Sequence, residues 1–319
     1  MENNALPEGT ETRNKTRNEP RRLLIIIPAL NEHESISATI INLRSIENRL
    51  CEIGVALSIY VIDDGSSDNT GELALEAGAD RVLRHRVNQG LGAAVRTGIK
   101  AGRDENFDIL VKFDADLQHE PEDVCRIIMP IIDGEADLVY GNRFDALQYK
   151  MPIVRRVGNI VFSRLMKWLT NWPLRDSQPG IFAASREYLM VAFIPGDYNY
   201  TQQILLDAYH KNMRFAHVSV TFRKRTSGKS FVNFRYPLKV IPQIVMVIAS
   251  IKPFKIFVPI GSIFMVVGVG VFVIQFLSWL FGSGTKPVEN VNLVLGFVLF
   301  GLQTVFFGIL AQLIVQMRR

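Results

Sequence analysis

Ile109-Leu110-Val111-Lys112-Phe113, halted by Asp114-Ala115-Asp116, is the stretch that decides the fold. A short apolar run stopped abruptly by carboxylates reads as a buried strand whose carboxyl end opens toward a ligand. The same form recurs along the chain. Leu23–Ile27 ends at Pro28, Leu57–Ile62 stops at Asp63-Asp64-Gly65, and Asp137–Tyr140 precedes Gly141-Asn142. Between these runs lie helical stretches at Glu34–Arg49, Thr70–Ala77, Leu91–Ala101 and Glu122–Ile132. Strands alternating with helices of this length predict an α/β fold built on a mostly parallel sheet.

In such a sheet, ligands gather beyond the carboxyl ends of the strands. Asp114 and Asp116 alternate in an extended piece and so point the same way, where they can converge on one hard cation. A Mg2+ or Mn2+ held there would bridge the phosphates of a nucleoside diphosphate. Asp63 and Asp64 repel each other at the second strand end and need donors nearby; a carboxylate there can also accept a base imide or ribose hydroxyls. Asn31 and Glu32, after Pro28, are candidates both for capping the next helix and for ligand contact. Asn88-Gln89-Gly90-Leu91-Gly92 precedes a helix carrying Arg96 and would bring backbone N–H groups to a ligand. It has neither a dinucleotide G-x-G-x-x-G nor a Walker Lys-Ser/Thr, which removes support for NAD binding and P-loop chemistry. Asp176 stands in a turn-forming segment, Arg175 through Gly180, and is a candidate for gripping a hydroxylated substrate. Arg223 through Ser230 is a basic, glycine-containing stretch suited to anionic oxygens, with Arg225, Ser227, Lys229 and Ser230 as its phosphate candidates.

The chain of 319 residues carries a formal charge of +5, and 48% of it is hydrophobic, very unevenly spread. Two cysteines, Cys51 and Cys125, exclude a disulfide-stapled scaffold and a Cys-only metal site. Residues 1–21 are polar with mixed charge and read as a flexible tail without a signal-peptide apolar core. After residue 236 the character changes. Residues 237–253, flanked by lysines, fit a helix lying along a membrane interface. Ile256–Phe281 then runs 26 residues without a charge, and Val291–Val315 another 25, each exceeding the ~20 needed to cross a bilayer. Spans at 254–281 and 291–316 are therefore expected, joined by a polar loop at 282–290. Lys252 and Lys255 before the first and Arg318-Arg319 after the second predict both termini, and the α/β domain at 22–236, on the cytoplasmic side of the plasma membrane. No Lys/Arg cluster has the form of a nucleic-acid patch.

This set of motifs resembles the family 2 glycosyltransferases of GT-A type, in the branch that makes polyprenyl-phosphate sugars. The likeness covers residues 22–316. It rests on Pro28 through Glu32, Asp63 through Asp68, Asn88 through Gly92, Asp114 through Pro121, Gly141-Asn142-Arg143 and Asp176 through Gly180. The resemblance implies a Rossmann-like GT-A sheet and a nucleotide-sugar donor bound by Pro28, Asn31, Glu32, Asp63, Asp64, Asn88, Gly90, Arg96, Asp114 and Ala115. It implies metal on Asp114 and Asp116, Gln118 by the sugar and acceptor, catalytic parts for Asp116, Gln118, Asp176 and Arg225, and acceptor phosphate on Arg225, Ser227, Lys229 and Ser230. The implied reaction is inverting transfer of a hexose, glucose from UDP-glucose as first choice, to undecaprenyl or another polyprenyl phosphate. GDP-mannose, a UDP-aminosugar and a non-catalytic membrane scaffold stand as alternatives. Relatives of this architecture can assemble through their membrane segments, so a homo-oligomer is also admitted. Two departures are Phe231, where many relatives carry lysine, and Gly180-Ile181-Phe182, where Gly-Phe is usual.

Overall fold

A computed structural model of the chain describes residues 19–143, 160, 163–164, 166–168, 170–176, 178–194, 200–221, 253–282 and 284–317. The chain divides into two compact units. One comprises residues 1–148, 180–191 and 218–227, and the other residues 149–179, 192–217 and 228–319. The expected tail at 1–21 lies outside the described residues up to 18, as does the interfacial helix up to 252.

The first unit begins with β1 (Arg21–Ala29), α1 (Ile36–Arg44), α2 (Glu47–Glu52), β2 (Val55–Asp63), α3 (Thr70–Glu76) and β3 (Arg81–Arg84). It continues through α4 (Leu91–Asp104), β4 (Ile109–Lys112), α5 (Glu122–Ile132) and β5 (Leu138–Asn142), and later β6 (Phe182–Ser185) and α6 (Arg186–Val191). The seven-stranded sheet, with β7 (Phe215–Ser219) at one edge, runs in the order β3-β2-β1-β4-β6-β5-β7. β1 pairs in parallel with β2 and β4, and β2 with β3. β6 is antiparallel to both β4 and β5. The expected mostly parallel α/β sheet is present. Three strands lay outside the sequence reading: β3, half-exposed at an edge, and the short β6 and β7. The expected helix Glu34–Arg49 is two helices, α1 ending at Arg44 and α2 starting at Glu47.

Leu23 through Ile27 are completely buried, as a strand with helices on both faces must be. Each such side chain contributes about 2 kcal/mol of apolar burial. α4 lies very close to β1 because Gly98 and Gly102 face the sheet. A Cβ at Gly98 would stand 2.6 Å from Ile26 Cδ1, and one at Gly102 3.0 Å from Leu110 Cδ1.

Two features of the topology place the site. The strand order reverses between β1 and β4, which leaves a crevice at their carboxyl ends. β6, running the other way, starts where β4 finishes, Phe182 pairing with Lys112. The residues just before β6 are thereby delivered to the Asp114 end of the sheet.

The second unit holds α7 (Tyr200–His210) and an aromatic cluster in which Trp172 stacks on Phe215 at 4.8 Å and meets the Tyr209 edge at 5.5 Å. It also holds α8 (Phe254–Leu280) and α9 (Val291–Met317), both long and apolar enough to cross a membrane. Only 11% and 17% of their most apolar windows are buried within the chain, so most of this surface lacks a protein partner among the described residues. The two helices pack through glycines seven apart: Gly261 and Gly301 face each other, Gly268 meets Phe297 and Val298, and Gly308 meets Phe257. A Cβ at Gly261 would sit 2.6 Å from the Gly301 carbonyl oxygen. Gln275 Oε1 accepts from the backbone N–H groups of Glu289 and Asn290 at 2.9 and 3.0 Å, closing the start of α9.

Candidate active site

β2 ends on Asp63 and Asp64, whose carboxylates both turn into the protein. Asp63 is completely buried. Its Oδ1 accepts from Ser66 N at 2.8 Å, and Arg84 Nε lies 3.3 Å from Oδ2 without the alignment of a hydrogen bond. Asp64 Oδ1 accepts from Gln89 N at 2.9 Å and from His85 Nδ1 at 2.7 Å, while Oδ2 accepts from Gly90 N at 2.7 Å. With Asp64 ionised, the His85 proton belongs on Nδ1, leaving Nε2 to accept from Thr97 Oγ1 at 2.9 Å. The adjacent carboxylates thus find the donors their repulsion demands, and in doing so shape two turns. Gly65 makes the contact possible: its φ is +80°, and a Cβ there would lie 2.7 Å from the Val87 carbonyl carbon.

Around this turn stand the other expected donor-site residues. Pro28 is buried within β1. Asn31, at φ 54°, receives Ser67 N on Oδ1 at 2.9 Å and donates its own N–H to Ser66 Oγ at 3.0 Å. Glu32 N donates to Thr70 Oγ1 at 2.9 Å, and its Oε2 accepts from Ser35 Oγ at the same distance. Asn88 is exposed, its Oδ1 accepting from Gly90 N at 2.9 Å. Gly90, at φ 94°, is the N-cap of α4, and Arg96 is half-buried one turn into that helix.

The β4 end is different. Asp114 and Asp116 are half-buried, separated by the buried Ala115, whose carbonyl accepts from Thr39 Oγ1 at 3.0 Å. Asp116 Oδ1 accepts from Gln118 N at 3.2 Å across Leu117, which adopts φ 59°. Asp114 Oδ1 is ion-paired with Lys112 Nζ, which also donates to the Gly180 carbonyl at 2.7 Å. Lys112 is 1% exposed, a buried ammonium inside an otherwise apolar strand. Its part was absent from the sequence reading, although strand alternation puts residues 112 and 114 on one face.

Gln118 and His119 are both buried. A Cβ at Gly180 would fall on the His119 ring and 3.0 Å from Asp114 Oδ2, so only glycine fits where β6 arrives. Burial holds the His119 imidazole down at about 4, with Lys112 and Arg143 pushing the same way and Asp114 opposing. The ring is therefore neutral at pH 7. Asp176 belongs to the second unit, completely buried, with Oδ1 accepting from Gln178 N at 2.9 Å. Arg225, Ser227, Lys229 and Ser230 lie outside the described residues.

Among the described residues, no group of three or more His, Cys, Asp or Glu side chains could hold a metal ion. Asp114 and Asp116 still suit Mg2+ or Mn2+, because such ions commonly take one or two carboxylates and complete their shell with substrate phosphates and water. Asp114 Oδ2 lies close against Gly180, 3.0 Å from where a Cβ there would stand.

Residues 24–193 match the family described as Glycosyl transferase family 2, and the chain belongs to it. Its similarity to an uncharacterised protein of Methanocaldococcus jannaschii is 36% identity over 52% of this chain and 65% of that protein, just under two thirds of its length. The UDP-N-acetylglucosamine–dolichyl-phosphate N-acetylglucosaminyltransferase of Methanococcus voltae is 33% identical over 53% of this chain and 71% of its own. The polyprenol monophosphomannose synthase of Mycolicibacterium smegmatis is 32% identical over 66% and 80%. These names mark the polyprenyl-phosphate sugar branch of the family. Among solved structures, glucosyl-3-phosphoglycerate synthase of Mycobacterium tuberculosis with Mg2+ and UDP aligns at 26% identity and TM-score 0.54, over 72% of this chain and 77% of that one.

Proposed function

We propose that the protein transfers a hexose, glucose from UDP-glucose in the first instance, to undecaprenyl or another polyprenyl phosphate at the cytoplasmic face of the plasma membrane. The observation that carries this reading is the half-buried carboxylate pair, Asp114 and Asp116, at the end of β4, on a chain that also bears two membrane-length helices. The named relatives support a nucleotide-sugar donor and a polyprenyl-phosphate acceptor.

The donor nucleoside lies against the turns built by Asn31, Asp63, Asp64 and Asn88–Gly90. Its diphosphate faces Asp114 and Asp116, the residues that would hold Mg2+ or Mn2+; when bound, the ion neutralises charge on the departing diphosphate. An acceptor phosphate oxygen is already anionic, so no base has to remove a proton from it. That oxygen forms the new bond to the anomeric carbon as the bond to the donor's β-phosphate breaks, and the electron pair leaves with the nucleoside diphosphate. The single displacement inverts the anomeric configuration. What the enzyme supplies is alignment and relief of phosphate–phosphate repulsion. Arg225, Lys229, Ser227 and Ser230 receive the acceptor phosphate, Gln118 lies by the sugar, and Asp176 orients the substrates. Orientation with both termini in the cytoplasm follows from Lys252, Lys255, Arg318 and Arg319.

The test is to incubate the full chain with Mg2+ or Mn2+, undecaprenyl phosphate and a panel of UDP- and GDP-sugars, measuring nucleoside diphosphate release. Release from UDP-glucose only when lipid phosphate is present supports the proposal. Release from GDP-mannose or a UDP-aminosugar instead replaces the donor and keeps the reaction. No release with any donor, and no nucleotide binding, moves the assignment to a non-catalytic scaffold.

A further inference from the structure

Thr221 is the last described residue before the basic stretch Arg223–Ser230, and the structure grips it from several sides. Its backbone N–H donates to Asp123 Oδ2 at 2.9 Å. Arg126, ion-paired with Asp123 Oδ1 one helical turn along α5, reaches Thr221 Oγ1 at 3.4 Å. The residue before it is fixed as well, Val220 N donating to the Asn142 carbonyl at 3.1 Å at the end of β5. Asp123 is completely buried, whereas the Arg126 side chain is half exposed. Placing a carboxylate in the interior is costly unless it has partners, and both partners here serve one residue of the returning chain.

We propose that Asp123 and Arg126 are positioning residues that fix Thr221, two residues before the basic stretch 223–230 in the sequence. This rests on the reading of that stretch as the acceptor's phosphate site. Neither residue touches a substrate; both act through Thr221. The arrangement ties the entry of the acceptor segment to the helix that directly follows the donor loop. An in-line displacement requires donor and acceptor phosphates to be aligned, and a fixed Thr221 sets where the chain leading to that stretch begins.

The experiment uses the full-length chain in nanodiscs with the Arg126→Met variant, and with Arg126→Lys as the conservative control. Amide exchange at Thr221, KM for undecaprenyl phosphate and the affinity for UDP with Mn2+ are measured together. Arg126→Met strips the buried Asp123 of its ion partner, so denaturant unfolding of each variant is measured alongside; Asp123→Asn, which retains an oxygen acceptor for the Thr221 N–H and removes the buried charge, is the second variant. Expected for Arg126→Met are at least tenfold faster exchange at Thr221 and an approximately tenfold higher KM for the lipid phosphate. UDP affinity stays within about twofold, since that site is untouched, and Arg126→Lys recovers part of the KM. Unchanged exchange overturns the proposal, as does faster exchange with an unchanged KM, or a parallel loss of UDP affinity. If the unmodified protein transfers nothing to any lipid phosphate, the functional reading fails on its own, and Thr221 exchange still decides whether the pair holds the chain.

Discussion

Two acidic strand ends face the same crevice, and they do opposite work. At β2, Asp63 and Asp64 are buried, and their oxygens are met by Ser66, Gln89 and Gly90 amides, His85 and Arg84. At β4, Asp114 and Asp116 are half-exposed, with Lys112 paired to Asp114 and Gly180 packed tightly against the His119 ring and Asp114 Oδ2. The first pair spends its bonding capacity on the architecture of two turns. The second stands nearer solvent, Asp114 paired with Lys112 and Asp116 accepting from Gln118 N. Charge at a strand end does not by itself announce chemistry; what matters is how many of its lone pairs the protein has already taken.

The comparison is sharpened most by isosteric changes at the open end. Asp116→Asn is expected to lower nucleoside diphosphate release about a thousandfold, near 4 kcal/mol in the barrier, with a thermal midpoint within a few degrees of the parent. Asp114→Asn should combine that loss with instability, because it strips a buried ammonium of its counter-charge, a change typically costing about 3–5 kcal/mol. Denaturant unfolding separates the two variants, and equal stability would break the distinction drawn between them.

At the closed end the largest effect should be on stability. Asp64→Ala leaves the Gln89 and Gly90 amides and His85 Nδ1 without their acceptor, at about 3 kcal/mol in all. A variant as stable as the parent would show that the β2 carboxylate is not architectural.

The buried imidazole between the two functions gives a pH signature. His119 has its pKa lowered from 6.5 to about 4 by burial first. Between those values the unfolded chain takes up a proton that the folded chain refuses, so stability is lost as pH falls from 6.5 toward 4. The ceiling on this contribution is about 3 kcal/mol. Asp123 works in the other direction: burial raises it from 3.8 to about 6, and stability is lost as pH rises through that window. The stability difference between the parent and His119→Gln across pH 4–7 isolates the histidine. A difference that does not change with pH would contradict the buried, neutral ring. The smallest effect, about 2 kcal/mol with partial loss of activity, is expected for Gly180→Ala, whose Cβ would displace that ring.

Much of this was legible in the sequence because buried parallel strands write themselves as unbroken apolar runs. β1, β2, β4 and β5 were found that way, α5 to the residue, and the two membrane-length helices by their lack of charge. β3, with only intermediate burial at an edge, has no such run, and β6 is four residues long. Asp114-Ala115-Asp116 was readable as the polar end of an apolar run, but β4 ends at Lys112 and residues 115–116 turn, so the extended alternation expected of them is not present. The closed state of Asp64 was not, since its partners His85, Gln89 and Gly90 are more than twenty residues away. Gly180 was quoted only as part of a turn; that it lies against Asp114 follows from β6 running antiparallel, which no local pattern encodes.

The central claim is that the β4 carboxylates receive the donor diphosphate with a divalent ion. Calorimetric titration of UDP into the full chain, with and without Mn2+, tests it directly against Asp116→Asn. The account predicts binding that requires Mn2+ in the parent and weakens at least thirtyfold in the variant, an expectation of about 2 kcal/mol. Equal affinity without the metal, or in Asp116→Asn, would contradict it.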